Sequence, residues 1–293
     1  MRIFVTGASG WIGSALVPDL IAAGHQVVGL ARSDASAAAV SRMGAEVLHG
    51  DLTDTDALRS GALDSGGVIH LAYRHDLGQA DGAEADARAI AAFTDALAGS
   101  DKPMVISGAT LMVPGRAATE RDELVAQGPI AARIINMQKA LTASKDGVRS
   151  ALVMLPRSVH GTGERHGFIP QLVARARAEG VSGYIGDGAN RWPAVHVKDA
   201  ATLYRLAVEK APAGAVLYAV GDEGVAVREI AEAIGRHLDV PARSLPAENF
   251  KPPLFPLLTL DMPATSTITQ ELLDWKPIHP GLMQDIDQGH YFD

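Results

Sequence analysis

Thr6-Gly7-Ala8-Ser9-Gly10-Trp11-Ile12-Gly13 follows directly on the apolar run Ile3-Phe4-Val5 and opens a helical pattern. Its three glycines have separate uses. Gly7 permits a tight turn, Gly10 lets a pyrophosphate approach the backbone, and Gly13 allows the helix to pack close to its strand. Ser9, Gly10, Trp11, Ile12 and Gly13 sit where that helix begins, and its free N–H groups and positive dipole end suit phosphate. Without a ligand these residues would form only a glycine-rich turn. The strand–turn–helix setting favours the dinucleotide reading.

Outward from this turn, short β-branched runs alternate with longer helical stretches. Strands are expected at Ile3–Thr6, Gln26–Leu30, Glu46–His49, Gly67–Leu71, Pro103–Ser107 and Ser150–Leu155. Helices are expected near Trp11–Ala23, Ala35–Met43, Thr55–Ser60, Ala80–Ala98 and Pro129–Ser144. Such alternation builds βαβ units and a parallel sheet covered on both faces. With right-handed crossovers, the fold class is α/β, a doubly wound (Rossmann) sheet with a small C-terminal substrate-binding region. Pro18 conflicts locally with the first helix, because an interior proline costs ~3 kcal/mol or more, so a kink is expected there.

After Pro156, Pro and Gly become frequent, and helices at Phe168–Glu179, Lys198–Lys210 and Val227–His237 are separated by irregular stretches. Pro241–Pro263 contains six prolines and reads as an extended excursion rather than a strand-helix unit. Residues 1–157, completed by about 195–222, form the expected cofactor domain. Residues 158–194 and 223–293 form the expected substrate region.

Composition narrows the partners. The 293 residues are 47% apolar and 20% charged, with net charge −8 and no cysteine. Disorder, disulfides, thiolate metal sites and cysteine nucleophiles are thereby excluded. The acidic balance argues against nucleic acid. An N-terminus interrupted by Thr6 and Gly7 does not read as a secretory signal, and no window reaches the length of a membrane span. The chain reads as soluble and cytoplasmic.

Further segments complete a resemblance. Gly50-Asp51-Leu52, Val68-Ile69-His70-Leu71-Ala72, Val195-His196-Val197-Lys198-Asp199-Ala200 and Leu273-Asp274-Trp275-Lys276-Pro277 follow the glycine turn in order. Together they resemble the extended short-chain dehydrogenase/reductase superfamily, in its epimerase/dehydratase branch. That resemblance implies that Asp51, with Leu52, meets the adenine and that Leu71 and Ala72 lie along the cofactor. It also implies that Ala80–Ala98 and Pro129–Ser144 pair across a two-fold axis in a homodimer. NAD-preferring members carry an acid at the end of the second strand, where this chain has Ala31. Arg32 and Ser33 can there hold a 2′-phosphate, so NADP(H) is expected, although Arg32 can also be a solvated loop charge.

The superfamily's reductases use Tyr-x-x-x-Lys on one helix. None of Tyr73, Tyr184, Tyr204, Tyr218 or Tyr291 has Lys four residues on. In Ala132-Arg133-Ile134-Ile135-Asn136-Met137-Gln138-Lys139, taking Lys139 as the lysine puts Ile135 at the tyrosine position. Taking the spacing to Gly147 puts Arg133 and Met137 there instead. Ser107 or Thr110 can give a hydroxyl to a substrate carbonyl, or can merely end the strand and cap a turn. His160 stands where the superfamily lines the nicotinamide pocket and is either a proton donor or a packed residue. His160, His166 and His196 lack metal-ligand spacing, so no metal is expected. Arg191 can grip a diphosphate but has few basic neighbours, and the apolar Leu254–Met262 stretch suits a small carbonyl compound better.

The expected activity is that of an NADP(H)-dependent oxidoreductase of an atypical extended type, acting on a small carbonyl or related C=X compound such as an iminium. A cofactor-sensing protein without turnover is the alternative. A nucleotide-sugar epimerase or dehydratase is a weaker one.

Overall fold

The computed structural model describes residues 1–250 and 257–293. Twelve strands are described: β1 (Arg2–Thr6), β2 (Gln26–Ala31), β3 (Glu46–His49), β4 (Gly67–His70), β5 (Pro103–Ala109), β6 (Arg149–Leu155), β7 (Ser158–His160), β8 (Ser182–Tyr184), β9 (Arg191–His196), β10 (Ala215–Tyr218), β11 (Asp222–Ala226) and β12 (Ala242–Ser244). The main helices are α1 (Trp11–Ala22), α2 (Asp34–Arg42), α3 (Thr55–Leu63), α4 (Gly78–Leu97), α5 (Ala131–Thr142), α6 (Phe168–Glu179), α7 (Val197–Lys210) and α8 (Val227–Leu238).

The central sheet runs β10-β6-β5-β4-β1-β2-β3, with every pairing parallel. This is a doubly wound Rossmann sheet. Strand order reverses between β1 and β4, which opens a crevice beyond the carboxyl ends of those strands. Side chains along each strand alternate between two cores. Ile3, Val5 and Ile69 pack with Leu16 and Leu20 of α1 and Leu203 of α7. Phe4, Val68 and Met104 face the opposite way, toward Leu58 of α3, Phe93 of α4 and Met137 of α5.

All six strands expected before Pro156 are present, and β5 runs two residues further, to Ala109. The fifth helix is α-helical from Ala131, with single 3₁₀ turns at Gly128–Ile130 and Ala143–Asp146. Helix α1 runs unbroken through Pro18, which is exposed. There the carbonyl left without its N–H partner can bond water instead.

The C-terminal part adds a three-stranded sheet, β11-β9-β7, and the parallel pair β12-β8. A third core joins α6, α8 and the short helix Leu282–Asp287 around Trp192, Ile230 and Ile286. Strand β12 lies inside the proline-rich excursion, which therefore holds a strand as well as extended chain. Of the apolar stretch Leu254–Met262, residues 254–256 lie outside the described residues, while Leu258 is buried. No helix among the described residues is long and apolar enough to cross a membrane.

Candidate active site

A cavity of about 860 Å³ opens at the β1/β4 switch point. The glycine turn forms its floor, with Gly7, Ser9, Gly10, Trp11, Ile12 and Gly13 all lining it. Gly7 has φ +71°, and a Cβ there would lie 2.8 Å from the Ala72 nitrogen. A Cβ on Gly13 would lie 2.2 Å from the Gly7 carbonyl oxygen, whereas one on Gly10 would meet no protein atom nearer than 3.1 Å. The turn is thus closed against its own helix and open toward the cavity, as a phosphate cradle requires. Trp11 donates from its indole to the Val159 carbonyl at 2.7 Å and so ties the turn to β7.

A buried chain of hydrogen bonds fixes the strand ends around this floor. Thr6 Oγ1 lies 2.7 Å from His70 Nδ1, and His70 Nε2 lies 3.1 Å from Asp86 Oδ1. Asn136 donates to the other Asp86 oxygen at 2.8 Å. Burial pulls the Asp86 carboxyl up, but the bonds from His70 and Asn136 outweigh it and hold the group below its ordinary value.

At one end the cavity meets Arg32, Asp51 and Leu52, and Leu71 and Ala72 line its wall. Arg74 bridges Asp51 at 3.0 Å and Asp76 at 2.8 Å, and Asp76 lies 3.7 Å from Arg32. Hydrogen bonding to Arg74 is the main reason the Asp76 carboxyl is held down at about 2. Two guanidinium groups therefore stand at this end, of which the sequence reading found only Arg32. Ser33 does not reach the cavity. Its hydroxyl caps α2 by accepting from the Ser36 N–H, and Ser36 takes its place on the lining.

At the other end lie Ser107, Arg133, Arg157, Val159 and the loop Gly163–Phe168. The helix register is now plain. Arg133 lines the cavity over the Tyr73 ring at 4.5 Å, and Met137 is buried one turn on. Six residues beyond Arg133 make ~600° of helical rotation, so Lys139 points to solvent on another face. Lys139 is thus removed from the candidate catalytic set, and on this helix the Arg133 guanidinium is what lines the cavity.

Ser107 donates to the His70 carbonyl at 3.0 Å and accepts from the Tyr204 hydroxyl at 2.7 Å. A hydroxyl has one proton and two lone pairs, so Ser107 keeps one acceptor site and no free donor. Tyr204 reaches it from α7, and burial raises that phenol well above its usual value. Thr110 is buried, away from the cavity lining, with its N–H bonded to the Leu155 carbonyl.

His160 is also withdrawn from the cavity. It is fully buried, with Nδ1 2.9 Å from Asp285 Oδ2 and its ring edge-on to His196 at 5.5 Å. His196 stacks on His279 at 4.9 Å, and burial first, then His160, push it down to about 4. Of the three histidines weighed, His166 alone lines the cavity. Arg191 is paired with Asp261 at 2.9 Å on the surface and does not line it either.

Glu164 is a further lining residue that the sequence did not single out. Its Oε2 lies 2.7 Å from the Tyr291 hydroxyl, which also stands 3.2 Å from Asp285 Oδ2. Asp285 Oδ2 also has His160 Nδ1 at 2.9 Å, which leaves the phenolic proton to Glu164. His160 favours the ionised form of Asp285, which lies below its ordinary value despite burial. Burial, and then the nearby Asp285 charge, raise Glu164 to about 7, with Tyr291 opposing. A carboxyl set between glycines after a strand was the available signal, but its partners lie over 120 residues away in sequence.

Known proteins agree with this architecture. The profile of the NAD dependent epimerase/dehydratase family matches residues 3–221. An uncharacterized protein of Schizosaccharomyces pombe is 42% identical over 298 residues, spanning all of both chains. A 2-alkyl-3-oxoalkanoate reductase of Stenotrophomonas maltophilia is 28% identical over 228 residues, covering 73% of this chain and 67% of that one. Among solved structures, a dTDP-glucose 4,6-dehydratase of Streptomyces venezuelae with NAD bound superposes with a TM-score of 0.78 at 20% identity, covering 98% of this chain and 96% of the other. With three quarters of its length matched by the family profile and a full-length relative at 42% identity, the chain belongs to the NAD dependent epimerase/dehydratase family.

Proposed function

We propose that the protein is an NADP(H)-dependent oxidoreductase that reduces a small carbonyl or related C=X compound. The observation that carries this reading is one cavity joining the open glycine cradle to Ser107, Arg133 and Glu164. The cradle fits a dinucleotide because the start of α1 and the vacant side of Gly10 line the cavity. Arg32 and Arg74 would hold a 2′-phosphate. A bound dihydronicotinamide supplies a hydride, so the chain itself has to supply the proton and steady the oxygen.

Glu164 in its acid form gives that proton to the substrate oxygen, and the carboxylate left behind regains one from water. Arg133 offers a fixed positive charge where oxygen gains negative charge, a usual source of stabilisation in a site that excludes water. Ser107, held by Tyr204 and the His70 carbonyl, shapes the wall and accepts one further hydrogen bond.

NADPH and NADH titrations followed by Trp11 fluorescence test the cofactor, since Trp192 and Trp275 are buried in the cores. NADPH is expected to bind more tightly. Arg32→Ala should weaken NADPH roughly ten- to hundred-fold, the worth of a charge-assisted hydrogen bond, and leave NADH little changed. NADH binding that equals or exceeds NADPH binding would overturn the preference. The lack of a Tyr-x-x-x-Lys pair and the committed Ser107 proton favour a second reading, a cofactor-sensing protein. Sustained NADPH consumption with any carbonyl compound eliminates it.

A further inference from the structure

Arg157 is a guanidinium with no ion-pair partner among the described residues. It lines the cavity just beyond β6, stacked over the Phe168 ring at 5.4 Å. Its Nη2 donates to the Met262 thioether at 2.8 Å, a weak acceptor, and its Nε is buried without a partner among the described residues. Burial pushes the group below its usual value, with no neighbouring carboxylate acting against it. Desolvating a cation without pairing it is costly, and such an arrangement persists where a ligand completes it.

The surrounding charges agree. Asp51 and Asp76, at the far end, are both bound to Arg74. At this end the cavity is also lined by Arg133, Arg165 and His166, with Glu164 the acid among them. In a chain of net charge −8, this end of the cavity is cationic.

We propose that Arg157 anchors a carboxylate or similar small oxyanion on the substrate, so that the protein reduces oxo acids in preference to neutral carbonyl compounds. This rests on the reductase reading above. The planar guanidinium accepts a carboxylate side by side, fixing the substrate's position as well as its charge. The Phe168 ring packs against the guanidinium.

The test compares 2-oxobutanoate, acetoacetate and levulinate with their methyl esters in the parent chain, Arg157→Leu and Arg157→Lys. In the parent, at least one acid should be consumed with a KM roughly ten- to hundred-fold below that of its ester. Arg157→Leu should erase that difference, and Arg157→Lys should restore part of it. Two readouts do not need turnover. Without cofactor, the favoured acid should raise the melting temperature of the parent and not that of Arg157→Leu, whose own melting temperature should equal or exceed the parent's. NADPH affinity by Trp11 fluorescence should be the same in all three chains. A fall in NADPH affinity in Arg157→Leu would assign the guanidinium to a cofactor phosphate and overturn the proposal. Esters reduced as well as acids, or a leucine variant that melts well below the parent, would overturn it too. Failure of the reductase reading looks different: the parent would then consume NADPH with neither acids nor esters.

Discussion

Glu164→Gln should bind NADPH as tightly as the parent chain and turn over roughly 10²–10⁴-fold more slowly, the usual worth of a positioned general acid. Glutamine keeps the shape and can still bond Tyr291, so the loss measures the proton alone. In the parent, kcat/KM should fall as pH rises through about 7, because the acid form does the work and burial places its titration there. The variant should lose that limb of the profile. Stability carries the same signature with a defined sign. The folded carboxyl titrates above its ordinary value of 4.5, so its contribution is full below that value and is lost as pH rises through about 7. Thermal melts should show the parent losing ground to Glu164→Gln between about pH 5 and pH 8. A parallel pair of melting curves, or a variant with undiminished turnover, would remove Glu164 from the mechanism.

The glycine turn, the sheet and most helix limits were legible because each is written in neighbouring residues. The apolar run Ile3-Phe4-Val5 depends on nothing distant, and neither does the sequence Gly7-x-x-Gly10-x-x-Gly13. The phase of α5 was not legible. Lys139 and the spacing to Gly147 gave two registers, and what decides between them is Met137 packing beside Gly108, where a Cβ would meet its sulfur at 2.6 Å. That contact crosses from helix to sheet and leaves no local trace. His160 misled for the same reason. Its position in the chain is next to the cavity wall at Val159, but strand alternation turns its ring the other way, onto Asp285. Glu164 and Arg157 owe their chemistry to burial by the C-terminal segment and by Phe168, and no spacing rule reports burial of that kind. The floor of the cavity was thus legible in the sequence, and the proton source was not.

Gly13→Ala and Gly10→Ala should part the two jobs of the turn. At Gly13 an added Cβ meets backbone on every side: the Gly7 oxygen at 2.2 Å, the Ala8 oxygen at 2.5 Å and the Ala8 carbon at 2.6 Å. None of these can swing aside as a side chain would, so β1 and α1 must separate, and overpacking of this kind costs about 1–3 kcal/mol or more. The expected result is a lower melting temperature together with loss of measurable NADPH binding. Gly10 differs. Its φ of −79° suits alanine, and its nearest protein neighbour, the Gly7 oxygen at 3.1 Å, asks for only a small adjustment. Gly10→Ala should therefore melt close to the parent while its methyl group stands where a pyrophosphate would approach, weakening NADPH by about a hundredfold, or roughly 3 kcal/mol. The contrast is the informative part, because a folded protein that has lost only its dinucleotide shows that the open side of the turn exists for the ligand. If Gly10→Ala binds NADPH normally, the cofactor lies elsewhere and the oxidoreductase reading goes with it.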